Sequence, residues 1–313
     1  MKDGSRRAIV AALLANLGIA VAKFVGFAIT GAASLLAEAI HSVADTGNQG
    51  LLVLGGHRSE RAPTEEHPFG FGAERYFWAF VVALVLFSFG ALFAIIEGVD
   101  KLVHPHQIES PAVAFAILGV AVVLESLSFR TAFREAQPLR HGHSWIGFIR
   151  RSKSPELPVV LLEDAGALVG LVFAIVGVAL ATITGNGRFD AMGSIAIGTL
   201  LGVIAIVLAT EMKSLLIGES ASRGLEQVIR DAMEASPEVD RVIHLRTLHL
   251  GPDEVLLAAK LEFRSPSVAQ LARDIDEVER RVREAAPIAT VIYLEPDCFR
   301  GAASTEPGAK DAQ

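Results

Sequence analysis

Long apolar stretches alternate with short charged loops over the first two thirds of the chain. Six of these stretches are close to the roughly 20 residues that a helix needs to cross a bilayer. The predicted spans are residues 8–29, 34–56, 77–98, 111–131, 158–182 and 188–209. Polar residues interrupt the second and fourth spans, as expected of helices that face other helices rather than lipid. The pattern therefore predicts an α-helical membrane protein with six transmembrane helices.

The positive charges of the loops are unevenly divided between the two sides of this predicted bundle. The N-terminal side receives Lys2, Arg6, Arg7, Arg58, Arg61, Arg75, Arg130, Arg134, Arg140, Arg150, Arg151, Lys153 and Lys213, and the other side receives Lys101 and Arg188. Since cytoplasmic loops are rich in Lys and Arg, both termini are predicted to be cytoplasmic. The first apolar run is too long for a signal peptide and is predicted to be a retained span. The expected location is a multi-pass protein of a bacterial inner membrane.

After Lys213 the pattern becomes that of a small α+β domain. "ESASRGLEQVIRDAMEASPEV" predicts an amphipathic helix with Leu225, Val228, Ile229 and Met233 along one face. "DRVIHLRTLHLG" and "DEVLLAAKLEFRS" predict two strands, "SVAQLARDIDEVERRVREAAP" a second helix and "IATVIYLEP" a third strand. The order αββαβ favours a small α+β domain with helices on one face of a sheet. The predicted domains are 1–213 (transmembrane), 214–298 (cytosolic) and 299–313 (disordered tail).

The composition supports a membrane protein and excludes several other classes. The 313 residues are 51% hydrophobic, and the mean hydropathy of +0.45 is high for a soluble protein. Cys298 is the single cysteine, which excludes an intramolecular disulfide framework and a cysteine-based zinc finger. The net charge is −7, and no basic tract suggests a nucleic-acid partner.

The second span carries ionisable residues within "AEAIHSVAD". Such groups are costly at bilayer depth unless they pair, face water or bind an ion. His41 and Asp45 are four residues apart and so lie on one helical face, where both can reach one metal ion such as Zn²⁺. Glu38 and Asn48 fall near the same stripe and are expected to support the ligands. The alternative is a His–Asp pair satisfied by neighbouring helices.

The fifth span carries two adjacent acids, Glu163 and Asp164, in an otherwise uncharged run. A cation or protonation must relieve their charge. Adjacent carboxylates project about 100° apart on a helix, so they need not face the same ion. A salt bridge to Lys23 of the first span is an alternative that neutralises one acid but not both.

Other acidic residues are weaker candidates. Glu125 in the fourth span is expected to pair with an arginine at the cytoplasmic boundary. The loop between the second and third spans holds Glu65, Glu66 and His67 beside two glycines and is a weaker candidate for a peripheral metal contact; ordinary surface residues are the alternative.

These features, in this order, resemble the cation diffusion facilitator family. The resemblance rests on "LLAEAIHSVADTGNQ", "HPFGFGAERY", "EGVDKLVHP", the acidic fifth span and the αββαβ tail, and it covers residues 6–297. It implies a Y-shaped homodimer with six helices per protomer, held together through the transmembrane domain and a metallochaperone-like C-terminal domain of ferredoxin-like fold. It also implies export of Zn²⁺ or a related divalent ion from the cytosol in exchange for protons.

The resemblance implies a transport site with two ligands from the second helix and two from the fifth. His41 and Asp45 match the first pair, and Asp164 matches the final Asp of the second. The position four residues earlier is Val160, where the family usually has His or Asp. "LLEDAGAL" is instead similar to a subgroup with adjacent Glu and Asp, which includes the mitochondrial zinc-transporter branch. The expected metal ligands are therefore His41, Asp45, Glu163 and Asp164, with Asn48 or water as the alternative to Glu163.

Accessory sites of the family are only partly matched. In the loop, the usual second histidine is replaced by Phe71. In the tail, zinc-binding positions of bacterial relatives correspond to Lys260, Tyr293 and Glu295. His244 and His249 are five residues apart on one strand and so lie on opposite faces. The tail is expected to serve dimerisation rather than zinc sensing.

The sequence thus predicts a proton-coupled divalent metal exporter that is not an enzyme and has no cofactor. Zn²⁺ is the preferred substrate because of His41, with Fe²⁺, Co²⁺, Cd²⁺ and Mn²⁺ as alternatives. Two other functions stay open. One is a metal-binding scaffold or sensor that has lost transport. The other is an intramembrane metalloenzyme, against which stands the absence of an HExxH motif in any span.

Overall fold

The computed structural model describes residues 3–140, 142 and 144–300, with side chains described from residue 17 onward. Lys2 and residues 301–313 of the predicted disordered tail lie outside the described residues. The chain divides into two compact units, Met1–Leu216 and Ile217–Gln313, here called the helical unit and the C-terminal unit.

Long helices occupy all six predicted spans and extend beyond most of their predicted ends. They are α1 (Asp3–Thr30), α2 (Ala33–Ser59), α3 (Glu74–Val85) continuing through a π-helical segment (Leu86–Leu92) into α4 (Phe93–Val103), α5 (Pro111–Leu139), α7 (Glu156–Thr184) and α8 (Arg188–Ile217). A short helix, α6 (Trp145–Arg151), was not predicted; the Ser144 side chain caps it by accepting from Gly147 N.

Apolar length alone qualifies four described helical stretches to cross a membrane: Glu74–Val103, Pro111–Leu139, Glu156–Thr184 and Arg188–Ile217. The described apolar part of α1, Leu17–Thr30, is shorter. In α2 the polar residues themselves lower the hydropathy. Glu38, His41 and Asn48 are all buried in the protein, as expected of a helix surrounded by other helices.

The packing of α1, α2, α5 and α7 against one another positions the predicted site residues. α2 packs against α1, α3 and α7, and α5 packs against α1 and α7. Gly31 turns the chain between α1 and α2 with φ of 63°, a conformation that glycine adopts at little cost. The core between the helices contains Leu35, Leu118 and Leu171, each essentially inaccessible to solvent. Polar residues on these helices are therefore brought into the interior by apolar packing around them.

The C-terminal unit has the predicted order αββαβ. Its elements are α9 (Arg223–Glu234), β1 (Val239–Gly251), β2 (Glu254–Phe263), α10 (Val268–Ala285) and β3 (Ala289–Pro296). β2 is the central strand, antiparallel to β1 and parallel to β3. Val255, Leu257, Ala259 and Leu261 alternate along β2 and are buried.

The two helices of this unit close a second hydrophobic core. Ile229 and Met233 of α9 and Val278 and Val282 of α10 pack with the buried strand residues. Val228, which was predicted to share the apolar face of α9, is 43% exposed. That prediction was wrong, because the buried stripe of this helix is narrower than its row of apolar residues.

Candidate functional site

His41 and Asp45 lie one turn apart on α2. His41 Nδ1 is 3.5 Å from Asp45 Oδ1. The imidazole is 1% exposed, and both of its nitrogens lack a hydrogen-bond partner among the described residues, as does Asp45 Oδ1. Because buried polar atoms are rarely left unpaired, this face of α2 is suited to bind a cation or a proton.

Glu163 and Asp164 are both buried on α7, and they contact different neighbouring helices. Asn48 Nδ2 of α2 donates to Glu163 Oε1 at 2.7 Å. Ser128 Oγ of α5 donates to Asp164 Oδ2 at 2.9 Å. The divergence follows from the 100° between consecutive helical residues. Asn48 thus supports Glu163 through a hydrogen bond, which agrees with its predicted supporting role.

A small cavity collects polar side chains from α2, α5 and α7. Its lining consists of Ile19, Ser42, Asp45, Gln49, Glu125, Glu163 and Asp164. Three of the four predicted ligands, Asp45, Glu163 and Asp164, therefore share one cavity. His41 is outside this lining. Within the described ranges, no three His, Cys, Asp or Glu side chains are close enough together to hold one metal ion.

Glu125 of α5 has a different partner from the one predicted from the sequence. It was expected to pair with a boundary arginine, which is wrong: its Oε1 lies 3.8 Å from Lys23 Nζ, and its side chain lines the cavity. The missed indication was its depth in an apolar helix, where an ionisable residue is a functional candidate by default. Ser128, one turn further along α5, was missed for lack of any charge or motif.

Lys23 does not neutralise the acids of α7. Its ammonium donates to Glu38 Oε2 at 3.1 Å and to Ser42 Oγ at 2.8 Å, in addition to its contact with Glu125. The alternative in which Lys23 compensates Glu163 or Asp164 is therefore wrong for this structure. Glu38 thus serves as a counterion of Lys23.

The loop candidate forms an open surface pocket at the start of α3. Its lining residues are Arg61, Thr64, Glu65, Glu66, His67, Phe71 and Glu74. The ring of Phe71 packs edge-on against His67 at 4.7 Å and lies beneath the Arg61 guanidinium. A peripheral metal contact at this loop stays a prediction.

In the C-terminal unit, Lys260 forms ion pairs with Glu295 at 2.9 Å and Asp297 at 3.4 Å. The hydrogen bonds to these two carboxylates raise the pKa of Lys260. An ammonium thus occupies the position that the resemblance associates with a metal ligand. His244 is exposed whereas His249 is buried, in agreement with their predicted placement on opposite faces.

A bundle of long apolar helices around a buried cluster of carboxylates is typical of membrane proteins that move cations or protons. The chain belongs to the cation diffusion facilitator family. The family model described as the cation efflux transmembrane domain matches residues 9–217, which includes the helices that carry the cavity.

Relatives whose names state a function align with most of the chain. It is 32% identical over 275 residues to the mitochondrial proton-coupled zinc antiporter SLC30A9 of Mus musculus, covering 87% of this chain and 48% of the relative. It is 29% identical to metal tolerance protein C4 of Arabidopsis thaliana, covering 85% and 59%. It is 26% identical to the cation-efflux pump FieF of Cronobacter sakazakii, covering 94% and 93%. The chain thus spans about half the length of the zinc antiporter that it matches.

Proposed function

We propose that this protein is a proton-coupled exporter of divalent metal ions, with zinc as the first candidate substrate. The observation that carries the proposal is the cavity to which α2 contributes Asp45 and α7 contributes Glu163 and Asp164. Carboxylates buried at bilayer depth require a cation or protons to relieve their charge. The names of the antiporter and the efflux pump support a transporter rather than an enzyme.

The proposed metal ligands are His41, Asp45, Glu163 and Asp164. Imidazole and carboxylate together suit Zn²⁺ and related first-row cations. Since three such groups are not yet within reach of one ion in the described arrangement, the proposal requires the ligands to converge when metal binds. Among the described residues, neither nitrogen of His41 has a hydrogen bond that would oppose the movement.

Proton coupling follows from the chemistry of the same ligands. Carboxylates and imidazole must be deprotonated to coordinate a metal. Metal binding therefore releases protons from the ligands, and metal release allows the ligands to bind protons again. Alternating access of the cavity to the two sides of the membrane then exchanges metal for protons.

The proposed setting is a homodimer, joined through its transmembrane and C-terminal domains, with both termini in the cytoplasm. The distribution of Lys and Arg between the predicted loops supports the orientation. The name of the mitochondrial antiporter gives no support to a bacterial inner membrane, and that location stays a prediction.

Metal flux into proteoliposomes tests the function directly. We expect Zn²⁺ uptake that increases when a proton gradient is imposed, and competition by Cd²⁺, Co²⁺, Fe²⁺ and Mn²⁺ to rank the substrates. Asp45→Asn and Asp164→Asn should reduce the flux to that of empty liposomes while the protein stays folded. Asp100→Asn, whose side chain is 70% exposed at the end of α4, is the matched control and should transport normally.

The absence of metal flux in the parent protein, with and without the gradient, would refute the exporter. Metal binding without flux would instead support the alternative function, a metal-binding scaffold or sensor. Glu163→Gln decides the fourth ligand. A silent Glu163→Gln beside an inactive Asp164→Asn would assign that place to Asn48 or water, whereas loss of equilibrium metal binding in both would assign it to Glu163.

A further inference from the structure

Lys23 of α1 is a fully buried cation in the helical unit, with no solvent exposure. Its ammonium joins three helices: it contacts Glu38 and Ser42 on α2 and Glu125 on α5. Removing an ammonium from water costs several kcal/mol unless opposite charges and hydrogen bonds compensate it. The three contacts account for the burial of Lys23, but they do not explain why a membrane helix carries a lysine here.

Lys23 contacts residues that line the cavity but does not line it itself. Two of its partners, Ser42 and Glu125, line the cavity together with Asp45 and Asp164. The third partner, Glu38, is outside that lining and packs against α7 where Gly170 has no side chain; a Cβ there would lie 2.6 Å from Glu38 Oε1. Lys23 therefore links one carboxylate that faces the cavity to one that does not.

The ion pair between Lys23 and Glu125 involves one of the carboxylates that line the cavity. Asp45, Glu125, Glu163 and Asp164 supply four carboxylates to one small space. A fourth carboxylate available to a divalent ion strengthens its binding, and a site that binds too tightly releases its ion slowly. An ammonium 3.8 Å from Glu125 opposes the use of that carboxylate by a metal.

We propose that Lys23 is a positioning residue, a fixed internal cation that holds Glu125 away from the transported metal and thereby keeps metal binding weak enough for release. This inference rests on the proposed export function. It predicts that Lys23 weakens metal binding. A lysine that served only the packing of α1, α2 and α5 would stabilise the fold without weakening metal binding.

Removal of the ammonium should therefore tighten metal binding. In Lys23→Met we expect the Kd for Zn²⁺, measured by titration calorimetry on the purified full-length protein, to fall by at least about tenfold, since it frees a unit charge at ion-pair distance. In proteoliposomes the KM for Zn²⁺ should fall, and the maximal flux should fall with it because release becomes slower. Lys23→Arg keeps the charge and should keep the affinity within about threefold of the parent, on the same charge argument.

Two double variants separate the roles of the two carboxylates and also guard against misfolding. Lys23→Met/Glu125→Gln and Lys23→Met/Glu38→Gln make the same change in net charge, since each removes the Lys23 ammonium and one of its two carboxylate partners. The first lacks the carboxylate that lines the cavity and should return to the affinity of the parent. The second leaves Glu125 free and should keep the tightened binding.

Lys101→Met is the matched control. Lys101 is also buried and ion-paired, at 3.4 Å from Asp190, and Asp190 contacts Ala33, which lies about 18 Å along α2 from Asp45 at the helical rise per residue. Its loss should lower the melting temperature with no tightening of metal binding. Lys23→Met with an unchanged or weakened affinity, or two double variants of equal affinity, would overturn the inference. A parent protein that neither binds nor transports Zn²⁺ would instead refute the proposed function.

Discussion

Asp190, in the first turn of α8, caps the start of a different helix. Its carboxylate accepts from Ala33 N at 2.6 Å, from Ser34 N at 3.3 Å and from the Ser34 hydroxyl, all at the N-terminus of α2. Lys101 of α4 forms an ion pair with the same carboxylate and donates to the Gly31 carbonyl. Both the free amides and the dipole of a helix N-terminus favour a negative charge there. One buried acid thus stabilises the beginning of α2, the helix that carries His41 and Asp45.

Replacing this acid should destabilise the helical unit. We expect Asp190→Ala to lower the free energy of unfolding by about 3 kcal/mol, because it leaves the Lys101 ammonium buried without its counterion. Thermal unfolding in detergent measures the change. The surface variant Asp100→Asn should be close to neutral, and equal melting temperatures for the two variants would contradict the capping role.

At the scale of elements, α8 packs closely against α4 and the end of the π-helical segment Leu86–Leu92, because small residues lie at the contact. A Cβ on Gly198 would lie 2.7 Å from the Ala91 carbonyl oxygen, and one on Gly98 would lie 2.9 Å from the Ala191 carbonyl oxygen. Between them, Ser194 Oγ donates to the Ala94 carbonyl at 2.9 Å. Small residues of this kind allow helix backbones to approach within a bilayer. The π-helical segment Leu86–Leu92 joins α3 to α4 without a break, and such segments are rare insertions within α-helices.

Adding side-chain volume at this contact should force the helices apart. We expect Gly198→Val to lower the free energy of unfolding by about 1–3 kcal/mol through overpacking. Gly119→Ala in α5 is the matched control, since nothing lies within 4 Å of its Cβ. That variant should be neutral or slightly stabilising, because alanine favours a helix over glycine. Chemical denaturation of both variants in the same detergent measures their free energies of unfolding. An unchanged free energy of unfolding in Gly198→Val would contradict the overpacking.

At the scale of the whole molecule, each of the two units has a hydrophobic core of its own. In the C-terminal unit the core joins α9, α10 and all three strands of the described sheet, with Leu257 and Val278 at its centre. Ser222 and Ser267 cap the two helices through their side chains. A unit that buries its apolar faces within itself has the properties of an independent domain.

The C-terminal unit should therefore fold when expressed alone as residues 217–313. We expect a soluble fragment with mixed helix and strand circular dichroism and a single cooperative thermal transition. Leu257→Ala, which empties part of this core, should cost about 2–5 kcal/mol and serves as the sensitivity control. A fragment with no cooperative transition would show that folding of this unit depends on the rest of the chain.

Much of this organisation was predictable from local pattern. The long helices and the αββαβ order follow from apolar length and periodicity, which each segment carries by itself. Val228 is an instructive failure: its apolar character agrees with the helical face of Ile229, yet the neighbouring strands cover only part of that face. The ligand set His41, Asp45, Glu163 and Asp164 stays a prediction, although three of these side chains meet at one cavity.

The amino-acid sequence by itself determined which long segments are helices and which of them carry ionisable groups in apolar surroundings, and it predicted a metal site on α2 and α7. Only the tertiary structure decided the partners of those groups. It pairs Lys23 with Glu38 and Glu125 rather than with the acids of α7, and it directs Asp164 towards Ser128. Partners depend on how each helix is rotated and crossed against its neighbours. Close packing of small and apolar residues from several helices sets those rotations, and no single segment contains that information.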